Sequence, residues 1–319
     1  MEKICFGIDV GGTTVKLGVF DSDRKLLRKW EIPTRTEEQG AHILEDIRDA
    51  LLGEIEDRGL SMDQVQGAGI GLPGPVTPDG IVNHCVNLGW GRMNVEKELS
   101  LLLGGIPVHA ENDANVAALG EALYGAGAGH HSMVMVTLGT GIGGGVVLQG
   151  KLVSGSHGAA GEIGHIPSYR GAKKPCNCGN TGCMEQIGSA TGIAQKAEEL
   201  MEETDWPSAL RDLPHVTARD VMTLHGRGDA IADATIEAVI DALGRGMATI
   251  GCVIDPEVFV IGGGVSKAGQ WLMDALEERF ERYAFHACRG SRVIAATLGN
   301  DAGIYGAAAL ALQEEEQTK

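Results

Sequence analysis

The chain has 319 residues, with 26 Lys+Arg against 43 Asp+Glu and a formal net charge of −17 at pH 7. That balance argues against nucleic acid or an anionic membrane as a partner, because both are polyanions that a basic surface must neutralise. The length suits two domains or one large one. The 48 glycines are about twice the usual share of roughly 7%, and they fall in clusters between apolar runs rather than in a low-complexity tract.

Residues 4–9, 15–20 and 26–32 read as three strands, separated by Gly11-Gly12-Thr13-Thr14 and Asp21-Ser22-Asp23. They predict an antiparallel meander with a glycine-rich first hairpin. A helix follows over 41–58, with Ile43, Ile47, Leu51 and Ile55 on one stripe, ended by Gly59. A buried strand at 65–71 runs into the rigid loop around Pro73, Gly74 and Pro75. A helix at 95–103 and a strand at 106–110 come next; Glu111-Asn112-Asp113 follows at once, then a helix to about residue 124, and Gly125, Gly127 and Gly129 mark a boundary.

The second half opens with an apolar strand at 132–138, a glycine stretch at 139–145 and a strand from 146 to 148. This strand, glycine turn, strand pattern repeats the opening of the chain and suggests a duplicated fold with a ligand between the halves. Helices are then predicted at 190–203, after Thr217 (with Asp220 completing a capping box) and at 229–254. A strand at 258–261, a helix to about 282, a strand at 292–297 and a last helix at 301–312 complete an α/β order stated twice. With no secretory leader and no 18-residue apolar span, the chain is expected to be soluble and cytoplasmic. Cys5, Cys85, Cys252 and Cys288 are expected to be buried, reduced thiols, and the acidic end EEEQTK to be solvated.

The densest chemistry lies in residues 161–185, GEIGHIPSYRGAKKPCNCGNTGCME. Cys176, Cys178, Cys183 and His165 form a closed tetrahedral set for zinc, and four protein ligands point to a structural metal rather than a catalytic one. Gly179 and Gly182 let the backbone turn so that the sulfurs converge. The alternatives are three free thiols in a loose loop or a disulfide, and a bridge across one residue is strained. Glu162 and Glu185 flank the four ligands, and carboxylates fixed by a metal suit a polyhydroxylated ligand.

Gly139, Gly141 and Gly144 satisfy G-x-G-x-x-G, but a strand follows where a dinucleotide fold needs a helix. Two facing glycine hairpins can instead hold a triphosphate on exposed N–H groups. Asp9 is placed for Mg2+, directly or through water; Thr13 and Thr14 offer hydroxyls, and Lys16 a charge. Asp113, at a strand-to-helix switch, is the candidate general base. It competes with Asn112 for the role of helix N-cap, and spacing does not choose between them.

DVGGTTVKLGVF, GIGLPGPV, NLGW, ENDANVAALGE, TLGTGIGGG, GEIGH, CNCGNTGCME and VIGGG stand in one order along the chain. Together they resemble the ROK family (repressors, open reading frames and kinases), most closely its bacterial ATP-dependent glucokinases. The resemblance implies the actin-like ATPase fold, an α/β fold of two similar ribonuclease-H-like domains with a cleft between them. The domains would be 1–124, completed by the C-terminal helix at 301–319, and 125–300, which contains the zinc loop. It implies ATP-dependent phosphorylation of the glucose 6-hydroxyl, with Asp113 as the base and Mg2+ and structural Zn2+ as cofactors. Gly74, Asn87, Asn112, Glu162, His165 and Glu185 match sugar-contacting positions, so His165 would serve metal and sugar. Gly11, Gly12, Thr13, Thr140 and Gly141 match the phosphate loops, and Gly263 the approach to adenosine. Homodimers or larger assemblies are implied too. A family kinase for N-acetylmannosamine, fructose or allose is the alternative. A sugar-responsive repressor is the other, but Asp9 lies only nine residues from the start, with no helix-turn-helix before it.

Overall fold

A computed structural model describes residues 3–312; the acidic stretch from residue 314 lies outside the described residues. The first half opens with β1 (Ile4–Val10), β2 (Thr14–Asp21) and β3 (Leu26–Pro33). α1 (Glu37–Gly40) is a single turn with Glu38, Gln39 and Gly40 at positive φ, and α2 (Ile43–Asp57) follows. Then come β4 (Val65–Leu72), the short pair β5 (Ile81–Val82) and β6 (Met93–Asn94), α3 (Val95–Leu102), β7 (Val108–Asn112) and α4 (Asp113–Tyr124).

The second half contains β8 (Met133–Leu138), β9 (Ile142–Leu148), β10 (Lys151–Leu152), α5 (Glu185–Gly188), α6 (Ala190–Glu203) and α7 (Ala218–Leu224). It continues with α8 (Ala230–Ile254), β11 (Val258–Gly262), α9 (Gln270–Tyr283), β12 (Arg292–Ala295) and α10 (Ala302–Leu312).

The two glycine hairpins do head two copies of one topology. The first sheet has the order β3-β2-β1-β4-β7, and the second β10-β9-β8-β11-β12. In each, the first hairpin is antiparallel, and the strands β1-β4-β7 and β8-β11-β12 that complete the sheet run parallel. β1, β4 and β11 are buried almost throughout, as strands covered on both faces must be, and they are largely apolar, with only Asp9 and Gln66 polar among them. Each half has its own core: α2 and α3 pack with Phe6, Ile8 and Ile70 in one, and α6, α8 and α9 with Phe259 and Val136 in the other.

α10 returns to the first sheet, where Ile304, Ala308 and Ala311 pack with Cys5 and Phe20. The sequence allows this because Gly69 on β4 faces the helix: a Cβ there would lie inside the carbonyl of Ala307. The same glycine logic explains one departure from expectation. Residues 142–145 are strand, not turn, and only 139–141 form the bend. Gly145 leaves room for α4, since a Cβ on it would strike the Ala118 side chain.

Other boundaries move by a few residues. The strand expected at 106–110 is Val108–Asn112, so Glu111 and Asn112 belong to it. The last strand ends at Ala295, and a 3-10 turn at Val265–Ala268 precedes α9. The capping box of Thr217 and Asp220 is present. Cys5 and Cys85 are buried as expected, but Cys252 is exposed and Cys288 partly so. Cys252 lies near the end of α8 and is outside its buried stripe, and Cys288 lies in a 3-10 turn at His286–Cys288 beyond α9.

Candidate active site

A cleft of about 1190 Å³ opens between the two sheets, with walls from both halves of the chain. Asp113 stands on its first-half wall at the start of α4. The choice left open between Asn112 and Asp113 is decided by backbone conformation. Asn112 is extended (φ −61°, ψ 145°), and its Oδ1 accepts from the N–H of Ala114 at 2.9 Å and of Asn115 at 3.2 Å, so Asn112 is the N-cap. Its Nδ2 donates to the Gly74 carbonyl at 3.2 Å, tying the proline loop to the helix.

Asp113 is thereby left free to face the cleft, with Oδ1 accepting from the Ala114 N–H at 2.7 Å. Burial pushes its carboxyl up from 3.8 to about 6, and the charges of Asp9 and Glu162 push the same way; the Ala114 N–H and the Asn112 side chain oppose them. A carboxyl poised just below neutrality is ionised at pH 7 yet basic enough to take a proton.

On the opposite wall, Glu185 opens α5, and its Oε2 accepts from the Ile142 N–H at 2.9 Å. That bond couples the end of the cysteine loop to the second glycine turn. His165 divides its two nitrogens: Nδ1 lies 3.7 Å from Cys176 Sγ, and Nε2 lies 3.8 Å from Glu162 Oε2. Cys178 and Cys183 sulfurs are 3.6 Å apart, and all four donor atoms lie within 4.8 Å of one another. With zinc–sulfur and zinc–nitrogen bonds of about 2.3 and 2.0 Å, tetrahedral ligands sit roughly 3.5–3.8 Å apart. The donor set fits such an ion. Gly179 and Gly182 both take positive φ in the loop, and Gln186 Oε1 accepts from the N–H groups of Gly182 and Cys183.

The first glycine hairpin is closed by the Gly11 N–H donating to the Thr14 carbonyl at 3.0 Å, and Thr34 binds its outer side through Gly11 and Thr13. Asp9 and Lys16 face each other across β1 and β2 and pair at 3.2 Å. In the second hairpin the Thr191 hydroxyl donates to the Thr140 carbonyl. Of the residues singled out from sequence, Asp9, Lys16, Gly74, Asn87, Asn112, Asp113, Gly141, Glu162, Glu185 and Gly263 line the cleft. Gly11, Gly12, Thr13, Thr14, Thr140 and His165 lie outside its lining, as do the three cysteines of the cluster.

Sequence reasoning missed two groups. Glu111 is buried and accepts from Asn115 Nδ2 at 3.1 Å and from the Ser154 hydroxyl, so it bridges the two halves next to the start of α4. Its place beside Asn112 and Asp113 was the available signal. The start of α10 also lines the cleft, with Asn300, Ala302 and Gly303, and Lys29 pairs with Asp301 there. Only Gly299 and Gly303 around Asn300 hinted at it, because that segment is distant in sequence from Asp113 and from both glycine turns.

Residues 5–314 match the ROK family. A glucokinase of Halalkalibacterium halodurans is 42% identical over 97% of this chain and 95% of its own. Among solved structures, the ROK family glucokinase of Streptomyces griseus, in complex with glucose and AMPPNP, superposes with a TM-score of 0.75 at 32% identity over 97% of this chain and 99% of that one. The ROK hexokinase of Thermus thermophilus superposes with a TM-score of 0.82 at 31% identity, over 98% and 99%. The chain therefore belongs to the ROK family and has the actin-like ATPase fold. It is an ATP-dependent hexose kinase.

Proposed function

We propose that this protein is a glucokinase that transfers the γ-phosphoryl group of ATP to the 6-hydroxyl of glucose. The observation that carries this reading is Asp113. Its carboxyl lines one continuous cleft together with Gly74, Asn112, Glu162 and Glu185, which we take as the sugar side, and with Gly141 of the second glycine turn. Asp113 takes the hydroxyl proton as the sugar oxygen attacks the γ-phosphorus; the new O–P bond forms as the bond to the ADP oxygen breaks. Asn112, Glu162, Glu185, Asn87 and the Nε2 side of His165 orient the other hydroxyls, which makes the attack effectively intramolecular.

The two glycine turns would offer the phosphates the N–H groups left over once Gly11 N–H bonds the Thr14 carbonyl and Gly139 N–H the Gly141 carbonyl, and Lys16 adds charge beside them. Gly263 and the start of α10 line the remaining end of the cleft and suit the nucleoside. Asp9 would hold Mg2+, which neutralises triphosphate charge when bound. His165, Cys176, Cys178 and Cys183 would hold Zn2+, whose role is to keep Glu162 and Glu185 in register.

The domains we assign are the first half with α10 and the segment 125–300, each with its own sheet and core. Closure of one on the other would exclude water, the competing acceptor. The test is a coupled assay with ATP over glucose, N-acetylmannosamine, fructose and allose. The highest kcat/KM is expected for glucose; preference for another sugar by tenfold or more would reassign the substrate.

A further inference from the structure

Glu121 lies two turns after Asp113 on α4 and is fully buried, at 0% exposure. Its partners are backbone N–H groups rather than a cation. Ala126 N–H donates to Oε2 at 2.8 Å, Leu298 N–H to Oε1 at 2.7 Å, and Thr297 N–H to both oxygens at 3.0 and 3.1 Å. The Thr297 hydroxyl adds a longer contact at 3.4 Å.

The identity of those donors is informative. Ala126 stands in the connection from α4 to β8, where the chain leaves the first half. Thr297 and Leu298 stand in the connection from β12 to α10, where it returns. One carboxylate thus ties both crossings to each other and to the helix that carries the base. Gly125 makes room for it, since a Cβ there would collide with the Glu121 carboxylate, and the N–H groups of Gly125 and Gly127 both donate to the Glu121 carbonyl. Unpaired, a buried carboxylate would be strongly destabilising; here several donors converge on it.

We propose that Glu121 is a positioning residue for phosphoryl transfer, its carboxylate making the two crossings a single pivot about which the second half closes over Asp113. This rests on the kinase reading above. Rotation about that point leaves donors and acceptors in place, because all of them lie at the crossing. It also keeps Asp113 in fixed relation to the axis, through one rigid helix.

The test compares E121Q with E54Q. Glu54 is also a buried glutamate, at 4% exposure, but it pairs with Arg28 and Arg58 on α2, away from the cleft. In E121Q both carboxylate oxygens are already acceptors of backbone N–H, so the new amide NH2 must face a donor whichever way it turns. Both variants are expected to melt lower than the parent. Assayed well below its own melting temperature, E121Q alone should lose tenfold or more in kcat/KM for both sugar and ATP. It should also lose the decrease in radius of gyration that glucose with a non-hydrolysable ATP analogue induces in X-ray scattering.

L298P provides a milder probe if E121Q fails to fold: it removes a single donor, and the native φ of −77° matches proline. The same changes, several-fold in size, are expected. If the variant that folds melts lower yet keeps kcat/KM within twofold and compacts like the parent, Glu121 is merely structural and the proposal falls. A parent that phosphorylates no hexose overturns the kinase reading and this proposal with it; an active parent matched by its variants overturns the role of Glu121 alone.

Discussion

Replacing Asp113 by Asn should remove catalysis and stabilise the ligand-free protein. Burial raises this carboxyl from 3.8 to about 6, and at about 1.36 kcal/mol per pH unit that is about 3 kcal/mol of destabilisation when the group is ionised. Part of the carboxylate is open to cleft water, so about 2 kcal/mol is the expected gain for D113N at pH 7, or roughly 3 °C in melting temperature for a chain of 319 residues. Asn keeps the shape and can still accept the Ala114 N–H. The sign follows from the raised value. Above pH 6 the folded and unfolded carboxyls are both ionised and the full destabilisation is present. As pH falls from about 6 towards 3.8 the folded protein binds the proton first, and the destabilisation fades. The advantage of D113N should therefore shrink between pH 6 and 4. Thermal unfolding of both proteins at pH 7.5 and 4.5 measures it, and a kinase assay should show a loss of about 10²–10⁴-fold with glucose binding retained. Near-normal turnover in D113N would remove Asp113 as the base. Equal stability at both pH values would refute the burial account of its carboxyl.

The pH dependence of kcat/KM for the hexose should show one acidic limb, rising about tenfold per pH unit below 6 and levelling above it as Asp113 ionises; a flat profile from pH 5 to 7 would contradict this. The purified protein should carry one zinc per chain by native mass spectrometry, and C183S, which leaves three donors, should lose the metal and raise the sugar KM by roughly tenfold or more. A metal-free C183S with unchanged KM would show that the cluster does not position Glu162 and Glu185.

Local signals in the chain determined much of this protein. Turn chemistry, apolar stripes and capping residues marked nearly every element, because each depends on neighbours within a few residues. The paired glycine hairpins announced a duplicated sheet, and the spacing of Cys176, Cys178 and Cys183 pointed to a candidate metal site, since thiols so close in sequence can converge on one ion. The choice of Asn112 over Asp113 as N-cap was decided only in three dimensions, by the extended backbone of Asn112 that lets its Oδ1 meet the N–H groups of Ala114 and Asn115. So was the strand character of Gly143 to Gly145, which depends on α4 lying against β9. Glu121 stands in the sequence only as the last residue of ENDANVAALGE; its partners are donors 5, 176 and 177 residues away. The cleft itself is of this kind: its walls come from segments far apart in the chain, and no local pattern encodes their meeting. The two halves and their glycines are written in the sequence, whereas the site is produced by folding one half against the other.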